Sequence, residues 1–172
     1  MNQIKTIFIV DDDATQAMML QDHLSKYSSI TVHVFGSGED CLKNLSLKPQ
    51  IIFLDYNFDL AGKNAMDGME ILKEIRKIDP EIEVVMFSGQ DKIEVAVNTM
   101  KYGAFDYIVK NESAFHRSEN VIFNIIKRLK LLQEARLYKR LTMLLGIALL
   151  ALIIIVIVLY NQGYITSNPG WM

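Results

Sequence analysis

Two kinds of apolar pattern alternate along the first 126 residues. Short apolar runs rich in β-branched residues stand at 4–10 (IKTIFIV), 51–54 (IIFL), 82–87 (IEVVMF) and 105–109 (FDYIV), and a more alternating one at 30–35 (ITVHVF). Runs this short and this apolar predict strands buried on both faces. Between them the apolar positions recur every three or four residues: Ala17, Met18, Leu20, Leu24 and Tyr27 in 14–27; Met69, Ile71, Leu72, Ile75 and Ile78 in 68–78; Ile93, Val97 and Met100 in 91–102. That is the period of a helix with one inward face. Ser37 with Asp40 three residues later resembles a capping box for a helix over 38–47, which Pro49 stops. Pro80 and Gly103 end two further helices, 56–66 is a loop with Asn57, Asp59, Gly62 and Asn64, and 117–138 is one long helix.

Five strands alternating with five helices predict an α/β domain with a parallel sheet covered on both faces by right-handed crossovers. The expected fold is flavodoxin-like, with five strands in the order 2-1-3-4-5, although periodicity alone also admits another order of a small α/β sheet. Every strand then ends at the same edge of the sheet, and the residues just past those ends carry the chemistry. The first strand runs into Asp11, Asp12 and Asp13, the third into Asp55, the fourth into Ser88 and the fifth into Lys110. Carboxylates gathered in one pocket must protonate or bind a cation. Oxygen ligands with water favour a hard ion, Mg²⁺ first. A carboxylate neutralised in this way can attack a phosphoryl group, with Lys110 and Ser88 balancing charge on the transferred oxygens.

The remainder of the chain follows a different pattern. Residues 141–160 (LTMLLGIALLALIIIVIVLY) carry no charge, and 14 of the 20 are Leu, Ile or Val. Twenty helical residues span about 30 Å, the thickness of a bilayer's hydrocarbon core. A five-stranded domain has no room to bury a helix that is apolar all round. The segment therefore predicts a single transmembrane helix followed by a short non-cytoplasmic tail over 161–172, with Tyr138, Tyr160, Tyr164 and Trp171 as interfacial aromatics.

Charge sharpens this division. The formal net charge is only −2, but residues 1–126 hold 12 Lys/Arg against 19 Asp/Glu, a net of −7. Residues 127–140 hold Lys127, Arg128, Lys130, Arg136, Lys139 and Arg140 against Glu134 alone. A basic helical linker before the span and no Lys or Arg after it place the first domain (1–126) in the cytoplasm. The linker also suits anionic lipid. An acidic domain is a poor match for nucleic acid. Cys41 is the one cysteine, so a disulfide within the chain is excluded and a reducing compartment fits. No secretory signal precedes the first strand.

With these elements in place, the chain resembles the response-regulator receiver domains of two-component signalling. The resemblance covers about residues 3–126 and rests on IFIVDDD, IIFLDYN, VVMFSG and FDYIVK in that order and spacing. It implies that Asp55 is the phosphoacceptor. It implies that Asp11 and Asp12, with Asp55 and the backbone carbonyl of Asn57, serve Mg²⁺. Ser88 and Tyr107 match the family's switch residues and Lys110 its lysine. The implied donor is a phosphohistidine on a sensor histidine kinase or a phosphotransfer protein. Two departures stand out: the loop from Asp55 to Asp67–Gly68 is longer than usual and lacks proline, and Asn111 follows Lys110 where the family usually has proline.

The resulting expectation is a membrane-tethered single-domain response regulator, in a bacterial inner membrane as the resemblance implies, that is no enzyme beyond its own phosphotransfer and dephosphorylation. It would signal through phosphorylation-dependent contacts with an output protein. The stripe Ile122, Ile125, Leu129 and Leu132 is expected to pack on the sheet first and to face solvent or a second copy of the chain later. The alternative is a tail-anchored adaptor that keeps the fold without phosphorylation. A flavodoxin-like enzyme for a small ligand is disfavoured, because no glycine-rich phosphate loop is present. Asp13 reads as a solvated first-turn acid, Asp59 and Asp67 as loop residues, and Cys41 as a packed helix residue. His23, His33 and His116 read as ordinary, and the Met18–Met19 and Met66–Met69 groups as core and loop.

Overall fold

In the computed structural model, the described residues are 6–27, 30–58 and 66–162. Asp59, Gly62, Asn64, Tyr164 and Trp171, and nearly all of the expected tail, lie outside them. The chain divides into two compact units, Met1–Lys127 and Arg128–Met172.

The first unit is built on β1 (Thr6–Val10), β2 (Thr31–Phe35), β3 (Ile51–Leu54), β4 (Glu83–Ser88) and β5 (Asp106–Val109). All neighbouring pairs are parallel and the order is β2-β1-β3-β4-β5. The flavodoxin-like order expected from the pattern is therefore the one present. β3 and β4 are buried at every position, as their apolar runs require. Side chains alternate across the sheet. Phe8, Val10, Ile52, Leu54, Val84 and Met86 join one core with Cys41, Ile71, Leu72 and Ile75. The intervening Ile7, Ile9, Ile51, Phe53 and Val85 are buried too and belong to the opposite face.

The helices are α1 (Ala14–Ser25), α2 (Gly38–Lys43), α3 (Gly68–Ile78), α4 (Ile93–Lys101) and α5 (Ala114–Asn161). α2 is shorter than the expected 38–47, because Leu45–Leu47 tighten into a 3₁₀ turn. Ser37 caps it by accepting from the Asp40 amide at 3.2 Å. Asp67 is not a mere loop residue: it forms a complete capping box with Glu70 at the start of α3. Asp13 sits one position earlier than a first-turn acid, as the cap of α1, accepting from the Thr15 and Gln16 amides. Met18, Met19, Tyr27, Ile78, Ile93, Val97 and Met100 continue the helical period but are exposed. Period alone overstates the buried stripe, since a helix on a sheet touches it along about one row.

α5 begins at Ala114, three residues before the expected 117, and runs for 48 residues through the apolar segment as one element, in line with the helical linker expected before the span. Within the first unit it buries Ala114, Ser118, Val121, Ile122 and Ile125. In the second unit Leu129 is half-buried and Leu132 exposed, and every residue of 141–158 is exposed.

Candidate phosphoacceptor site

The connection reverses direction between β1 and β3, which opens a crevice at their C-terminal ends. The sheet's hydrogen bonding continues one residue past the strands and fixes the groups there. The Asp11 amide donates to the Phe35 carbonyl (3.0 Å), the Asp55 amide to Val10 (2.9 Å) and the Lys110 amide to Ser88 (2.8 Å). Three candidate side chains thus start from backbone that is itself part of the ladder.

Their side chains converge. The Lys110 Nζ lies 2.7 Å from Asp11 Oδ2 and 2.7 Å from Asp55 Oδ2. Both carboxylates and the ammonium are largely withdrawn from solvent. Asp55 Oδ1 accepts from the Tyr56 amide at 2.6 Å and the Asn57 amide at 3.2 Å. Asp11 Oδ1 accepts from the Asp13 amide at 3.1 Å. Each buried carboxylate therefore has one oxygen on backbone and one on the ammonium, which is how a buried charge is tolerated.

The protonation balance follows from burial and pairing. Burial pushes Asp11 above the usual carboxylate range, and the Asp55 charge adds to it; the hydrogen bond and charge of Lys110 oppose the rise without cancelling it. Burial disfavours the Lys110 ammonium, yet its bonds to Asp11 and Asp55 prevail and hold it above the ordinary lysine value. Exposed Asp12 completes a carboxylate group: one oxygen from each of Asp11, Asp12 and Asp55 lies within 4.8 Å of the others. Three carboxylates against one ammonium leave an excess of two negative charges, which fits an oxygen-ligated divalent cation.

A second layer joins the ends of β4 and β5. Ser88 is fully buried and its hydroxyl oxygen accepts from the Gln90 amide at 3.3 Å. The Tyr107 hydroxyl donates to the Gln90 carbonyl at 2.9 Å, and burial raises its pKa. The Gln90 side-chain amide approaches Asn57 Oδ1 at 3.4 Å. Gln90 had no signal in the sequence, since its contacts come from the end of β4, from β5 and from the loop after β3. Gly68 contributes by lacking a side chain: a Cβ there would stand 2.2 Å from the Asp55 carbonyl oxygen. α3 can reach the Asp55–Tyr56 backbone only with glycine at that position.

His23 and His116 are less isolated than their spacing suggested. His23 Nε2 lies 2.8 Å from Glu119, which also pairs with Lys26, and His116 stands 3.9 Å from the other Glu119 oxygen. This cluster ties α1 to α5.

Residues 7–118 match the model of the response regulator receiver domain. The chain belongs to that family. Its receiver is 33% identical over 107 residues to the chemotaxis protein CheY of Thermotoga maritima, covering 62% of this chain and 85% of that one. It is 27% identical over 128 residues to the luminescence regulatory protein LuxO of Vibrio campbellii, covering 74% of this chain but 27% of that longer protein. The crystal structure of a receiver domain protein from Clostridium thermocellum superposes with a TM-score of 0.65 at 27% identity, over 74% of this chain and 98% of that one. The receiver is thus of the CheY-like kind found in two-component response regulators.

Proposed function

We propose that Asp55 accepts a phosphoryl group from a phosphohistidine on a sensor histidine kinase or phosphotransfer protein. The observation that carries this reading is the Lys110 ammonium shared between Asp11 and Asp55 at the sheet edge. An Asp55 oxygen attacks phosphorus as the P–N bond breaks, and its electron pair returns to the imidazole. The Tyr56 and Asn57 amides orient the attacking carboxylate. The Lys110 ammonium, already at 2.7 Å, moves onto the phosphoryl oxygens and offsets the charge that develops there. The residues to hold Mg²⁺ are Asp11, Asp12 and Asp55, with the backbone carbonyl of Asn57. Bound there, the cation would supply charge neutralisation on the transferred oxygens.

The same geometry supplies a switch. A Ser88 hydroxyl that turns to a phosphoryl oxygen leaves the Gln90 amide, and Gln90 is the residue whose carbonyl accepts from the Tyr107 hydroxyl. Rearrangement of Ser88, Gln90 and Tyr107 then alters the surface around 91–108, where an output protein would read the change. Incubating the full chain in detergent with acetyl phosphate and Mg²⁺ tests the chemistry. Labelling is expected for the parent and lost in Asp55→Ala. Unchanged labelling of Asp55→Ala sinks the assignment, and no labelling of the parent favours an adaptor that does not phosphorylate.

The second part of the reading is a membrane anchor. It is supported by the 141–160 segment, which is uncharged, helical and unburied. The proposed organisation is a cytoplasmic receiver over 1–126, a basic linker over 127–140, a span over 141–160 and a non-cytoplasmic tail over 161–172. A tether of this kind raises the local concentration of the receiver near membrane partners.

A further inference from the structure

We infer that Lys139 and Arg140 form a binding site for anionic phospholipid headgroups, whereas Arg128 and Lys130 on the same helix do not. The inference rests on the membrane reading above and goes beyond it, because an anchor needs only hydrocarbon burial.

The argument is one of distance along the helix of the second unit. Lys139 and Arg140 are exposed, and among the described residues neither has an ion-pair partner. At about 1.5 Å per residue they stand only about 3 and 1.5 Å before Leu141, the first residue of the span. The headgroup layer on each side of a bilayer is about 6 Å deep. Flexible stems therefore bring both charged ends among lipid phosphates, where the apolar stems can lie along the hydrocarbon edge. Arg128 and Lys130 are also exposed, but they stand about 20 and 17 Å before Leu141. That places them more than about 10 Å outside the headgroups, beyond the screening length of about 8 Å at physiological ionic strength. Equal charge thus has unequal effect, and the basic linker divides into a lipid-binding end and a solvent end.

The test uses the full chain reconstituted in phosphatidylcholine bilayers. Trp171→Phe removes the one native tryptophan, and Leu144→Trp places a reporter one turn past Arg140. Brominated phosphatidylglycerol and brominated phosphatidylcholine are then compared as quenchers. Phosphatidylglycerol is expected to be preferred at least about fivefold at low salt, from the usual strength of one basic residue at an anionic surface. The preference should fall towards unity in Lys139→Gln/Arg140→Gln and persist in Arg128→Gln/Lys130→Gln. Equal quenching by both lipids in the parent overturns the inference while the membrane reading stands. A distal pair that lowers the preference as much as the proximal pair also overturns it. No quenching by either lipid overturns the membrane reading itself, and the inference with it.

Discussion

Lys110 sits between two carboxylates that would otherwise repel each other out of water. Removing it leaves both Asp11 and Asp55 buried beside one another without their shared cation. Lys110→Ala should therefore cost the metal-free receiver about 3 kcal/mol in a urea titration. Added Mg²⁺ should recover part of that loss, because the carboxylates remain. A midpoint insensitive to Lys110→Ala would mean the ammonium does not hold the pair together. Asp11 makes the complementary case. Its folded pKa is raised, chiefly by burial, so its contribution to stability is complete below its unfolded value near 3.8 and is lost as pH rises through the raised one. At neutral pH without a divalent cation the ionised Asp11 is a net cost. Asp11→Asn should raise the urea midpoint in EDTA at pH 7, and the gain should shrink as pH falls towards 3.8. A lower midpoint at pH 7 would show that the Lys110 contact outweighs burial after all.

Single elements are held in place by contacts that cross the chain. Arg76, near the end of α3, donates to the carbonyls of Gly103 (2.9 Å), Pro80 (3.2 Å) and Ile82. It thereby fastens the turn before β5 to the start of β4. Arg76→Ala should cost roughly 1–2 kcal/mol, the worth of charge-assisted bonds that are only half-buried, and Arg76→Lys should recover little of the forked geometry. At the other end of α3 the restraint is steric. Gly68→Ala would drive a methyl group into the Asp55 carbonyl and the Tyr56 backbone, neither of which is a flexible side-chain end. It should destabilise by about 1–3 kcal/mol and slow acetyl-phosphate labelling, because the helix and the phosphoacceptor loop cannot both keep their positions. Normal labelling with normal stability would mean that the helix start yields at no cost. Asp67→Ala removes one half of the capping box and should cost about 1 kcal/mol with labelling preserved.

Across the whole molecule, an acidic receiver and an uncharged apolar helix should behave as separate materials. The full chain should remain with membranes through alkaline and high-salt washing, since hydrocarbon burial is indifferent to both. Truncation before Leu141 should release it. Release of the full chain at alkaline pH would count against the span. Sidedness needs two introduced thiols. Cys41 is fully buried and burial pushes its thiol up to about 12, so it should resist alkylation on either side of a membrane. Asn168→Cys should react with an impermeant reagent from outside intact cells, and Lys101→Cys, on the exposed side of α4, only after lysis. The reverse pattern would overturn the proposed orientation, and with it access to a cytoplasmic phosphodonor.

The linear chain by itself determined the α/β class and the identities of the groups at the sheet edge, while the strand order, which period leaves open, is set by the structure. Apolar strand runs leave only a sheet covered on both faces, and parallel strands put Asp11, Asp55, Ser88 and Lys110 at one edge. That inference needs only period and order. The tertiary structure decided which groups touch, because contacts between elements distant in the chain have no period. Gln90 joins Ser88, Asn57 and Tyr107 at the edge, Arg76 gathers three carbonyls, and Glu119 on α5 pairs with His23 on α1. It also decided which apolar residues are core. Met18, Ile93 and Val97 follow the helical pattern yet face outward, since how much of an apolar stripe is covered depends on what packs against it.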